Sequence, residues 1–170
     1  MEQYQGQPID LKPFKITFIV CGSLTTIFAL MTFVLWFMFQ YNTLPSTAPP
    51  LAYVVVFSVV AVAAVGGAPF VRASGMRKTG PYTARTGMQL EGEQAAWERI
   101  GAVAVVGMAL PEISLLLGFV LGYLAMNWLY YIPFAALCLI GWAFMFPRPA
   151  QVRAWYAHQM GYDTVPGMVN

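Results

Sequence analysis

Arg99-Ile-Gly-Ala-Val-Ala-Val-Val-Gly-Met-Ala-Leu-Pro-Glu112-Ile-Ser-Leu-Leu-Leu-Gly118-Phe-Val-Leu-Gly122-Tyr123 is an apolar run broken by one formal charge, that of Glu112. At ~1.5 Å of rise per helical residue the run is long enough to cross a ~30 Å hydrocarbon core. Glu112 then lies ~20 Å in from Arg99, close to mid-membrane. A carboxylate there costs at least ~2.5–3.5 kcal/mol on insertion scales, so an intramembrane acid marks a functional position by default.

The rest of the chain has the same character. Of its 170 residues 59% are hydrophobic and only 9% are charged, where a soluble domain carries about 25% charged residues. Four stretches are apolar enough to span: about 16–39, 51–71, 100–123 and 129–146, the last relying on flanking Trp128 and Tyr130. The expected fold is all-α, a single polytopic membrane domain of four transmembrane helices in an up-down bundle. A polar leader (1–15) precedes it, a basic loop (72–99) joins its two hairpins, and an interfacial tail (147–170) follows.

Orientation follows from the positive charges. All nine Lys and Arg fall in the leader, in the loop up to Arg99, or in the tail, so four spans put them on one side. The opposite loops, at 40–50 and about 124–128, carry no charge. By the positive-inside rule both termini are expected to be cytoplasmic, with the chain in an inner or plasma membrane. The first span is about twice as long as a signal-peptide core, and Pro49 follows the small-residue site Ser46-Thr47-Ala48, so it reads as a signal anchor.

Small residues suggest where helices meet. In the second span Ala61, Ala63, Ala64, Gly66, Gly67 and Ala68 crowd the cytoplasmic half. In the third, Ala104, Gly107, Gly118 and Gly122 form a stripe beside Glu112. Both are expected to let neighbouring backbones approach closely. Pro111 frees the carbonyl near Gly107, which together with Thr25, Thr26, Ser58 or Ser114 is a candidate partner for Glu112. No intramembrane Lys or Arg is at hand, so burial favours the neutral carboxyl group.

The loop Met76-Arg-Lys-Thr-Gly-Pro-Tyr-Thr-Ala-Arg-Thr-Gly87 mixes turn residues with basic ones. Arg77, Lys78 and Arg85 are candidate contacts for a lipid headgroup or partner, as are Arg148, Arg153 and Trp155 after the last span. The bland alternative is a solvated loop obeying charge bias. Val152, Trp155, Tyr156 and Met160 recur at helical spacing, which fits either a short helix on the membrane surface or a docking face. Glu91 and Glu93 read as a solvated helix start.

Catalytic chemistry finds little material. His158 is the only histidine and lies in the tail. Haem ligation by two histidines and Ser/His/Asp or Cys/His sites inside the bundle are therefore excluded within one chain. Cys21 and Cys138 lack metal-site spacing and are expected to be buried free thiols. No metal, cofactor, catalytic residue or nucleic-acid partner is expected.

The segment Ala109-Leu-Pro-Glu112-Ile-Ser-Leu-Leu-Leu-Gly118-Phe-Val-Leu121 resembles the outer helix of the c subunit (proteolipid) of rotary ATP synthases. That family carries its ion on a mid-membrane carboxylate, followed six residues later by Gly and then aliphatic residues. The resemblance implies a proton- or cation-binding role for Glu112. The regular Gly/Ala repeat and the Arg-Gln-Pro loop of that family are absent here. The function expected first is a non-catalytic accessory or assembly subunit of a larger membrane complex, its partners being lipids and other membrane subunits. Loss of co-purification when Gly118 and Gly122 become bulky is one expected consequence.

Overall fold

The computed structural model describes residues 9–41, 46–84 and 86–162. It is all-helical apart from one short hairpin. The helices are α1 (Lys15–Tyr41), α2 (Leu51–Arg77), α3 (Gly92–Leu124), α4 (Ile132–Met145) and α5 (Pro149–Met160). Strands β1 (Tyr82–Thr83) and β2 (Gln89–Leu90) pair antiparallel between α2 and α3, with Tyr82 opposite Leu90.

Four segments are long and apolar enough to cross a membrane: Lys12–Gln40, Leu51–Arg77, Gly92–Leu124 and Trp128–Met145. These mark an integral membrane protein. The fourth is the marginal one. Its α-helix has 14 residues, or ~21 Å of rise, and reaches spanning length only with the 3₁₀ turn Trp128–Tyr130 in front of it. Pro69 and Pro111 sit inside α2 and α3 without ending them, as membrane helices allow when neighbours surround the freed groups.

One boundary differs from the sequence-based reading. The second span was expected to end near residue 71, with the loop beginning at Arg72; α2 instead continues to Arg77. The cause is a tertiary environment for a charge. The Arg72 guanidinium donates to the Phe144 carbonyl at 3.1 Å and lies 5.5 Å over the Trp155 ring. Residue 72 therefore stays in the helix rather than marking a solvated turn. At the other end of the loop α3 begins at Gly92, next to Glu91 where the helix start was expected, so Arg99 lies two turns inside it.

α3 is central. It packs against α1, α2, α4 and α5, and α2 also packs on α4. Water expulsion gains nothing between helices in lipid, so close fit has to hold them. One apolar cluster joins Cys21 and Leu35 of α1, Ala68 of α2, Met108 and Leu115 of α3, and Cys138 and Trp142 of α4. A second gathers chain segments far apart in sequence: Ile9 and Phe14, Met76, Ala96 and Ile100, and Val152 and Tyr156. The tail thus seats its helical-spacing residues on the start of α3 within the same chain. Tyr156 stacks on Trp97 with centroids 4.6 Å apart. Trp97 is thereby part of this packing rather than a free side chain at the membrane edge. α5 opens with Pro149, uses Gln151 Oε1 to accept from the Arg148 amide at 3.3 Å, and closes on Gly161 at φ +71°, a left-handed cap suited to glycine.

Candidate functional site

Glu112 lies mid-way along α3 on a half-buried position. Three neighbours along the helix, Met108, Pro111 and Ser114, are engaged with α4. The Pro111 ring sits where a side chain on Gly141 would otherwise be: a Cβ there would come within 2.7 Å of Pro111 Cβ and Cγ. Trp142 Nε1 donates to the Met108 carbonyl at 3.0 Å. Ser114 Oγ donates to the Phe134 carbonyl at 2.9 Å. One turn of α3 on each side of the acid is therefore locked by a knob in a glycine hole and two buried hydrogen bonds.

The acid itself is left out of this network. Its Oε1 is buried and has no hydrogen-bond partner among the described residues. The hydroxyls expected to serve it are committed elsewhere: Ser114 to Phe134, and Thr25 to the Gly22 carbonyl. Ser58, on α2, lines a pocket with Leu121 and Phe134. Thr26 is exposed. Both native cysteines are buried free thiols. No group of three His, Cys, Asp or Glu side chains able to hold a metal occurs among the described residues. Such a carboxyl group can hold one proton, or lend one ligand to a cation whose other ligands are carbonyls or water.

The small residues divide into two sets. Gly107 faces Met145 Sδ, and Ala104 is buried in the second cluster. A Cβ on Gly118 would fall on the Phe134 side chain, and one on Gly122 would meet Tyr131 Cβ at 3.4 Å and Leu35 Cδ1 at 3.7 Å. These face helices of the same chain. Gly66 and Gly67 have nothing within 4 Å of an added Cβ, so no helix of this chain covers them.

Of the basic candidates, Arg77, Lys78 and Arg148 are exposed, Arg153 is half-buried, and Arg85 lies outside the described residues. Arg153 Nε is buried without a partner among the described residues. Trp155 is half-buried beneath Arg72.

Arg99, read from sequence as a water-side residue, is buried at 6% exposure. Its guanidinium donates to the carbonyls of Lys78, Gly80 (3.1 Å) and Pro81 (3.0 Å), and to Gln159 Oε1 at 2.7 Å. Gln159 Nε2 in turn donates to the Met76 carbonyl at 2.9 Å. One arginine thus ties the end of α2, the turn before β1 and α5 to α3. Nothing in the residue spacing marks it, because the acceptors are main-chain atoms.

No protein-family model matches the chain, and no curated protein or solved structure is significantly similar to it. Fold and site together define a class only: an integral membrane protein with, among the described residues, four helices of spanning length, one of which carries an acid mid-way along it.

Proposed function

We propose that this protein is a non-catalytic accessory or assembly subunit of a larger integral-membrane complex. The observation that carries the reading is the uncovered face of α2. Val59, Val62, Ala63, Gly66 and Phe70 recur at helical spacing and are all exposed, whereas Ala61 and Ala68 on the other face are fully buried. Glycine inside a helix is destabilising by ~1 kcal/mol relative to alanine. A pair of glycines that packs nothing within its own chain is accounted for by a helix from another subunit lying close against it.

We infer an up-down arrangement with both ends cytoplasmic, in an inner or plasma membrane. Its support is the second apolar cluster, which brings the start of α1, the end of α2, the start of α3 and α5 together, with the chain's basic residues around the same segments. Cysteines introduced at Thr83 and His158 should react only with reagent on the cytoplasmic side, and one at Ser46 only from the opposite side. The reverse pattern refutes the orientation. Native Cys21 and Cys138, both fully buried, keep the background low.

The assembly reading is tested by extracting the protein from its own membrane in mild detergent and identifying what accompanies it. Gly66→Leu and Gly67→Leu should abolish stoichiometric co-purification while the variant protein keeps its yield and thermal transition. Unchanged recovery of partners refutes the role of this face.

A second reading, that Glu112 binds a proton or cation as in the proteolipids it resembles, is favoured by its buried, unpartnered Oε1. It requires Glu112→Gln to abolish carbodiimide labelling and ion flux in vesicles with assembly intact.

A further inference from the structure

A cavity of about 790 Å³ opens sideways between the second half of α1 and the turn that joins α3 to α4. Its volume falls in the ~300–1,000 Å³ range of small-molecule sites. Rings dominate the walls: Phe28, Phe33, Trp36 and Phe39 from α1, and Trp128 and Tyr131 from the connection. From Phe28 to Gln40 the groove follows α1 for ~18 Å. That is about the depth of one leaflet, half of a ~30 Å core plus its edge.

Polarity along the groove is graded. In its depth Thr32 Oγ1 donates its one proton to the Phe28 carbonyl at 2.8 Å. The 2.7 Å contact between Thr32 Oγ1 and Tyr131 Oη is then a bond that tyrosine donates. Both protons are used inside the protein, so an apolar chain passing over the pair leaves no donor unmet. At the mouth the situation reverses. The Gln40 amide has no partner among the described residues, and Asn127 Nδ2 makes only a long 3.4 Å bond to Ser46 Oγ. Among the described residues no Lys, Arg, Asp or Glu lines the cavity, so they select no net headgroup charge.

Bulky side chains, Phe28, Phe33, Leu35, Trp36 and Phe39, line the α1 wall in place of the run of small residues that lets a second helix approach closely, which favours a flexible chain as the occupant.

We propose that this groove binds one acyl chain of a membrane lipid from the leaflet opposite the basic loop, with the ester oxygens of that lipid hydrogen-bonded by Gln40 and Asn127. The site is independent of the α2 face and of Glu112.

The test reconstitutes the full chain into phosphatidylcholine vesicles, re-extracts it in mild detergent, and counts retained lipid by native mass spectrometry. One phosphatidylcholine should remain bound to the unaltered protein. Ala29→Trp, which fills the groove from an exposed position on α1, should remove it with the thermal transition unchanged. Gln40→Ala should weaken retention about threefold to tenfold, the worth of one uncharged hydrogen bond. Phosphatidylglycerol vesicles should give the same count. Absence of bound lipid, equal retention in Ala29→Trp, or retention of phosphatidylglycerol alone would overturn the proposal, as would a second protein chain occupying the groove.

Discussion

Arg99 carries a positive charge into the protein with no carboxylate within ion-pair distance among the described residues. Backbone carbonyls and a glutamine solvate it instead. Breaking such a set leaves several buried acceptors unmet at once, so Arg99→Ala should destabilise the protein by about 2–4 kcal/mol. Protease cleavage within residues 78–90 should rise as the turn loses its tie, and a wild-type digestion pattern would contradict this. Trp142→Phe is the milder case. It removes one donor from the Met108 carbonyl and should lower stability by about 0.5–1.5 kcal/mol in a denaturation series. Glu112 and Arg99 differ in legibility. The presence of an acid at 112 is evident from its apolar surroundings, because a charge in hydrocarbon is conspicuous in any sequence. That Ser114 bonds Phe134 rather than Glu112, and that Arg99 is buried, depends on which backbone atoms converge in space. No local pattern encodes that.

At the scale of elements, glycine has two opposite uses here. On α3 and α4 it makes holes: Gly118 for Phe134, and Gly141 for Pro111. On α2 it makes a surface. Gly118→Leu and Gly141→Leu should therefore each destabilise the folded chain itself by at least about 1–3 kcal/mol, the usual penalty of overpacking, seen as a lowered thermal transition of the purified protein. Gly66→Leu should leave that transition unmoved. This changes what the Gly118 and Gly122 stripe can be asked to test, since bulky residues there damage the chain's own packing before they reach any partner. The four spans were readable because long apolar runs separated by charged or proline-rich segments have few alternatives in a membrane. The end of α2 was not readable. Arg72 and Arg77 resemble loop residues in sequence, and the tertiary contacts of that turn, Arg72 with Phe144 and Trp155 and Met76 with the second cluster, are not local in sequence.

For the whole molecule, the arrangement is a central α3 with α1, α2 and α4 around it and a small packed cap at the end where Ile9, Met76, Ala96 and Val152 meet. The outer helices are thinly covered: in the most apolar window only 11% of α1 and of α2 is buried, against 39% of α3 and of Trp128–Met145. Lipid can face such surfaces, but lipid gives no reason for paired glycines on one of them. The central claim, that α2 is a docking face for another membrane subunit, is met most directly by comparing native-membrane extracts of the wild type and Gly66→Leu in mild detergent. The account predicts a stoichiometric complex with wild type and a stable, correctly folded lone protein with the variant. Wild type recovered as a lone monomer, or both forms bringing down the same partners in equal amount, would contradict it.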